Sequence, residues 1–97
     1  MSGEGSMFTS VSKAMESQKT YRCPCCEFKT LYGSGGFEIC PVCYWEDDGQ
    51  DDHDASEVRG GPNGELSLAA ARENFGIHRA VEPRFIANVR NPLEDEL

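Results

Sequence analysis

The sequence predicts a small α+β domain: a β-hairpin clamped by four cysteines, followed by an acidic loop and one or two short helices. Three observations predict it. Two C-P-x-C turns, Cys23-Pro24-Cys25-Cys26 and Cys40-Pro41-Val42-Cys43, give the spacing C-x2-C-x13-C-x2-C. Between them residues 27–31 alternate in polarity, a glycine-rich turn follows, and residues 37–39 return. Further on, Leu68, Ala71 and Phe75 recur at three- and four-residue spacing behind Ser67, as on one face of a helix.

The chain has 97 residues, enough for one domain. Residues 1–19 are Ser, Gly, Lys and Glu with scattered apolar side chains and no lasting period, and are expected to form a flexible N-terminal tail. Residues 20–97 are expected to form a single domain. A core that small is marginal, and such domains lean on a staple.

The two cysteine turns supply one. Tetrahedral zinc takes four thiolates, and two C-x-x-C turns bring them together on one ion. Aligning the turns places Cys25 where Val42 falls, which leaves Cys23, Cys26, Cys40 and Cys43 as the ligands and makes Cys25 the odd thiol. Its default role is that of a small buried hydrophobe, with an oxidation-prone thiol as the alternative. Two disulfides would need an oxidising compartment, and no signal-like N-terminus is present, so a cytoplasmic protein is expected. A thioredoxin-like pair would need a βαβ context that residues 27–39 are too short to hold. Four thiolates bind zinc or iron. Zinc is expected, one structural ion per chain, because nothing else in the sequence asks for redox chemistry.

Tyr44 and Trp45 follow the last ligand, either as core aromatics or, for Trp45, as an exposed platform for a partner. The net charge is −8, and it is unevenly spread. Residues 46–57 carry seven of the seventeen acids and no Lys or Arg, so ten acids face nine bases elsewhere. An acidic excess counts against nucleic acid as partner, and no apolar run is long enough for a membrane span. The acidic stretch reads first as a solvated loop. As a hard-cation site it lacks the order of an EF-hand loop. As a hydrolytic site it would pair its carboxylates with His53 around a second metal. Trp45, Asp47, Asp48, Asp51, Asp52 and His53 are therefore the candidates for an interaction or second-metal site.

Arg59 and the Gly60-Gly61-Pro62-Asn63-Gly64 run read as loop. Ser67 caps the first helix, Gly76 is its expected terminator, and His78 stands ready to cap carbonyls at its end. A second short helix is expected from Pro83 with Phe85, Ile86 and Val89 inward, ending at Pro92. Residues 93–97 read as an acidic, frayed end.

Several runs in this order resemble the cysteine-rich CPCC family of small, mostly bacterial proteins. They are residues 21–30 with C-P-C-C, residues 36–52 (GFEICPVCYWEDDGQDD), residues 60–64 (GGPNG), residues 71–75 (AREN and Phe75), Arg84-Phe85 and residues 89–92 (VRNP). The resemblance spans about residues 21–96 and implies a compact zinc-ribbon-like protein, with no settled reaction. The leading functional expectation is a non-enzymatic module that binds another protein, one that is basic or that offers a groove for Trp45. A small metal-dependent hydrolase or nuclease using residues 46–57 is one alternative. A nucleic-acid-binding ribbon using Arg72, Arg79, Arg84 and Arg90 is the other.

Overall fold

The computed structural model describes residues 19–97, so apart from Lys19 the expected N-terminal tail lies outside the described residues. The order is β1 (Tyr21–Arg22), β2 (Lys29–Leu31), 3-10 turns at Asp52–Asp54 and Gly61–Asn63, α1 (Leu68–His78), a 3-10 segment Pro83–Asn88 and a last 3-10 turn Glu94–Glu96. This is the expected small α+β arrangement, with the four-cysteine cluster beside the hairpin.

The pairing within the hairpin differs from the expected one. Residues 29–31 do not join residues 37–39 across the glycine turn. β2 runs antiparallel to β1, with Tyr21 opposite Leu31 and Arg22 opposite Lys29. The chain already reverses inside the first cysteine turn, where the Glu27 amide donates to the Cys23 carbonyl (2.8 Å) and the Cys23 amide to the Phe28 carbonyl (2.9 Å). Residues 37–39 pair forward instead. Ile39 bridges Glu46, the Phe37 amide donates to the Asp47 carbonyl (2.8 Å), and the Asp47 amide to the Glu38 carbonyl (2.9 Å). Each cysteine turn is thus the tip of its own hairpin. The glycine-rich segment between them is held by carboxylates: Glu38 accepts the amides of Tyr32 and Gly33, and Asp47 accepts that of Gly35 at 2.6 Å.

The Ser67 hydroxyl accepts the Ala70 amide (3.1 Å) at the start of α1, and Leu68, Ala71 and Phe75 form its buried face, as expected. The helix passes through Gly76, ends at His78 and is capped by Arg79, a left-handed residue (φ 63°) whose amide donates to the Phe75 carbonyl. The stop is set by tertiary bonds. The Asn74 side chain donates to the Val81 carbonyl (2.8 Å) and the Val81 amide to the Cys43 carbonyl (2.9 Å), which turns the chain onto the second cysteine turn. The expected second helix is a 3-10 segment that ends at Asn88, before Pro92. The core joins Leu31, Val42, Trp45, Leu68, Ala71, Phe75 and Val81 to all five cysteines. Among the described residues no helix is long and apolar enough to cross a membrane.

The expected fraying of residues 93–97 is corrected by Glu96, which is buried. The Arg90 guanidinium grips its carboxylate with two nitrogens (2.8 and 2.9 Å), the Leu93 amide donates to it (2.8 Å), and Lys19 lies 3.3 Å away. Arg22 adds a bond to the Leu97 carbonyl. The Arg90 hydrogen bonds hold the Glu96 carboxyl down at about 2. A carboxyl depressed on folding stabilises above its unfolded pKa and loses that contribution as pH falls through the folded value. Glu96→Gln is therefore expected to cost roughly 2–3 kcal/mol at neutral pH. In paired urea melts the gap to the parent should stay flat from about pH 7 to 5 and narrow only below about 4.5, towards 2. A gap already closing near pH 6 assigns the stabilisation to another group.

Candidate metal centre

The two cysteine turns are copies of each other in their hydrogen bonds. In the first, Glu27 N–H reaches Cys23 O and Cys23 N–H reaches Phe28 O. In the second, Tyr44 N–H reaches Cys40 O (2.8 Å) and Cys40 N–H reaches Trp45 O (2.9 Å). Glu27 (φ 71°) and Tyr44 (φ 74°) occupy the matching left-handed position just after Cys26 and Cys43. Pro24 and Pro41 fix the entry to the turn with their locked φ. This is the equivalence that the alignment of Cys25 with Val42 predicts.

Stacked together, the turns place the sulfurs of Cys23, Cys26, Cys40 and Cys43 within 4.8 Å of one another, all buried. Cys23 and Cys43 are 3.6 Å apart and Cys26 and Cys40 3.7 Å apart, across the two turns. Four thiolates at about 2.3 Å from one ion stand about 3.8 Å from each other, so the cluster has the dimensions of a tetrahedral sulfur site. Bonded sulfurs would sit near 2.05 Å, and all five cysteines are free. The donor set fits a metal ion.

Second-sphere donors converge on the second turn. The amides of Val42 and Trp45 each lie 3.4 Å from a sulfur, of Cys40 and Cys43 respectively. The buried Thr30 hydroxyl is 3.0 Å from Cys40. Hydrogen bonds from Cys23, Cys26 and Cys43, with Thr30 adding, hold Cys40 far below the ordinary thiol range. Cys43 is pushed far up by its contact with Cys23, and Cys23 by its contact with Cys26. Gathering four thiolates this close together needs a cation among them. Thr30 was not singled out by sequence reasoning, because a Thr in a short strand carries no signal of a bond to a cysteine ten residues away.

Cys25 is buried outside the four-sulfur group, in the core position that Val42 takes in the second turn. Trp45 is also fully buried, which places it in the core and not on the surface as a platform. Its indole N–H and the Oε1 of Gln50 are buried without a partner among the described residues.

The acidic stretch is largely engaged with the chain itself. Asp47 is buried and accepts the amides of Gly35 and Gly49. Asp48 accepts the Gln50 amide (3.1 Å), Asp51 caps the 3-10 turn by accepting the Asp52 amide (2.8 Å), and Asp52 pairs with Arg72 (2.8 Å). Asp54 is paired with Arg59, and the Asp51 amide holds its carboxyl below the usual range, with His53 and Arg59 adding. Gln50, buried beneath them, donates to the carbonyls of Asp54 and Glu57. His53 is exposed, its Nε2 3.7 Å from Asp54. Among the described residues the four cysteines are the group whose ligand atoms converge. Titrating the metal-loaded protein with Ca²⁺, Mg²⁺ or Mn²⁺ is expected to give no heat of binding tighter than about 1 mM. Asp47→Asn should instead cost about 1–3 kcal/mol, since a buried charged acceptor of amides is lost. Sub-millimolar heat abolished by Asp51→Asn would revive the hydrolytic reading.

Of the four arginines considered for nucleic acid, three meet carboxylates of this chain: Arg72 with Asp52, Arg84 with Glu82 (2.7 Å) and Arg90 with Glu96. Arg79 lies over the Phe75 ring at 4.6 Å. Arg72 also donates to the Pro24 carbonyl (2.9 Å), tying α1 to the first cysteine turn. Asn63, read from sequence only as loop, holds the outer edge of the second hairpin: its amide accepts the Glu46 N–H (3.2 Å) and donates to the Glu46 carbonyl (2.8 Å).

No curated protein and no solved structure matches the chain. A family model described as cysteine-rich CPCC matches residues 21–96, which takes in both cysteine turns, the acidic stretch, α1 and the Arg90–Glu96 clamp. The chain belongs to the cysteine-rich CPCC family.

Proposed function

We propose that this protein is a non-enzymatic module, built around one structural zinc ion, that works by docking onto another protein of basic character. The observation that carries the reading is the closure of the cluster. Four buried thiols supply a full tetrahedral set, so an ion held by them has no open position for a substrate. Zinc suits this donor set and a structural role. Five free thiols suit a reducing compartment such as the cytoplasm. The net charge of −8 favours a basic partner by long-range attraction.

The test has two arms. Metal analysis and absorption spectra of the purified protein should give one colourless divalent ion per chain, zinc and not iron. Selection of random short peptides displayed on phage against the metal-loaded chain should enrich Lys- and Arg-containing sequences. Chelator-sensitive hydrolysis of phosphodiesters or esters, without any enriched peptide, would overturn the reading.

A further inference from the structure

Beside the second hairpin lies a cleft of about 250 Å³. Its apolar surface comes from Ile39, Tyr44, Leu66 and Phe85, and the Gly61–Asn63 turn forms one wall. Tyr44 and Phe85 pack ring to ring at 4.5 Å between centroids. Three carboxylates, Glu46, Glu65 and Glu82, line the cleft with one guanidinium, that of Arg84. Small-molecule sites usually run to roughly 300–1,000 Å³, and this cleft falls below that range. Tyr44 takes its left-handed backbone position from the cysteine turn, as Glu27 does, and what distinguishes it is its ring. The matching residue of the first turn, Glu27, is exposed, whereas the Tyr44 ring is turned onto Phe85 in this cleft.

Arg84 displays the chemistry the cleft accepts. Its guanidinium lies 4.5 Å from the centre of the Phe85 ring while its Nε is 2.7 Å from Glu82. Stacking on an aromatic face combined with a carboxylate contact is how a protein receives an arginine or lysine from outside.

We propose that this cleft is the docking site for a basic peptide segment of another protein, one apolar side chain entering between Tyr44 and Leu66 and a neighbouring Lys or Arg meeting Glu46, Glu65 or Glu82. The proposal rests on the docking reading above and gives it a surface. An incoming cation competes with Arg84 for Glu82 and Phe85, so Arg84 acts as a built-in competitor.

The probe is the peptide most enriched in the phage selection, labelled and measured by fluorescence anisotropy against the full metal-loaded chain, with metal content verifying that each variant is folded. Glu65→Lys is expected to weaken binding about tenfold, and Arg84→Ala to tighten it about threefold. Glu73→Lys, an equal charge change on the exposed face of α1, should stay within about twofold. A selected peptide whose affinity is untouched by both Glu65→Lys and Arg84→Ala overturns the cleft. If it weakens with Asp52→Asn instead, docking falls on the acidic stretch, and the module reading survives without this site. Self-association of the chain that Glu65→Lys abolishes makes a second copy the occupant and overturns the basic partner. A selection that enriches nothing removes both the site and the docking reading.

Discussion

Removing the metal with EDTA is expected to unfold the described domain. The regular structure is too short to stand alone: strands of two and three residues and one helix of eleven. Two-stranded sheets of this size are marginal in water. The core cluster has twelve members, five of them cysteines, so only seven side chains of the usual apolar kind remain. Structural zinc contributes about 10–16 kcal/mol to small domains of this sort, while the net stability of a folded domain is about 5–15 kcal/mol. The loss is therefore as large as the whole. Trp45 makes the event visible, because it is fully buried and two residues beyond Cys43. Its near-ultraviolet circular dichroism should collapse together with the far-ultraviolet signal, and both should return on adding zinc. A chelated protein that keeps the Trp45 signal would show that the aromatic and aliphatic core holds without the ion.

The spacing of the cysteines made the four-thiol cluster legible, because two C-x-x-C turns can close on one point only by facing each other. The alignment of the turns even separated Cys25 from the set. Strand pairing was less legible. The reversals depend on Glu27 and Tyr44 taking left-handed conformations, and neither is a glycine or asparagine that would announce a turn. The glycine-rich residues 33–36 gave the stronger turn signal, and the expected hairpin was built there. Long-range polar contacts left no local trace. Asn63 looks like loop chemistry, yet its amide pairs with Glu46 seventeen residues back. Glu96 looks like part of an acidic end until Arg90 is seen gripping it. Gly76 shows the limit of terminator signals: it sits exposed inside a helix that runs on to His78, where the Asn74 bond to Val81 turns the chain. Charge density at residues 46–57 read first as a solvated loop, whereas the fold sets several of those carboxylates against amides and arginines of the chain.

The ligand assignment itself gives the sharpest contrast between neighbouring residues. Cys25→Val is expected to keep one metal per chain and to change stability by less than about 1.5 kcal/mol, the usual range for a hydrophobic swap of similar volume. Cys25 belongs to the buried core, and Val42 takes the same place in the second turn, so valine fits that backbone geometry. Cys26→Ser, one position on, should lose the ion. A serine hydroxyl at that site replaces a thiolate 3.7 Å from Cys40 with a weak, neutral ligand and opens the tetrahedral set. The cost should exceed about 4 kcal/mol, a size reached by few single substitutions other than loss of a metal, a disulfide or a buried network. Metal stoichiometry and thermal melts of the two variants, run side by side, decide the matter. If Cys25→Val empties the site while Cys26→Ser keeps it, Cys25 is the ligand and the equivalence of the two turns does not extend to their sulfurs. If both variants keep the metal, three thiolates suffice, the centre has a fourth position open, and the case for a purely structural ion goes with it.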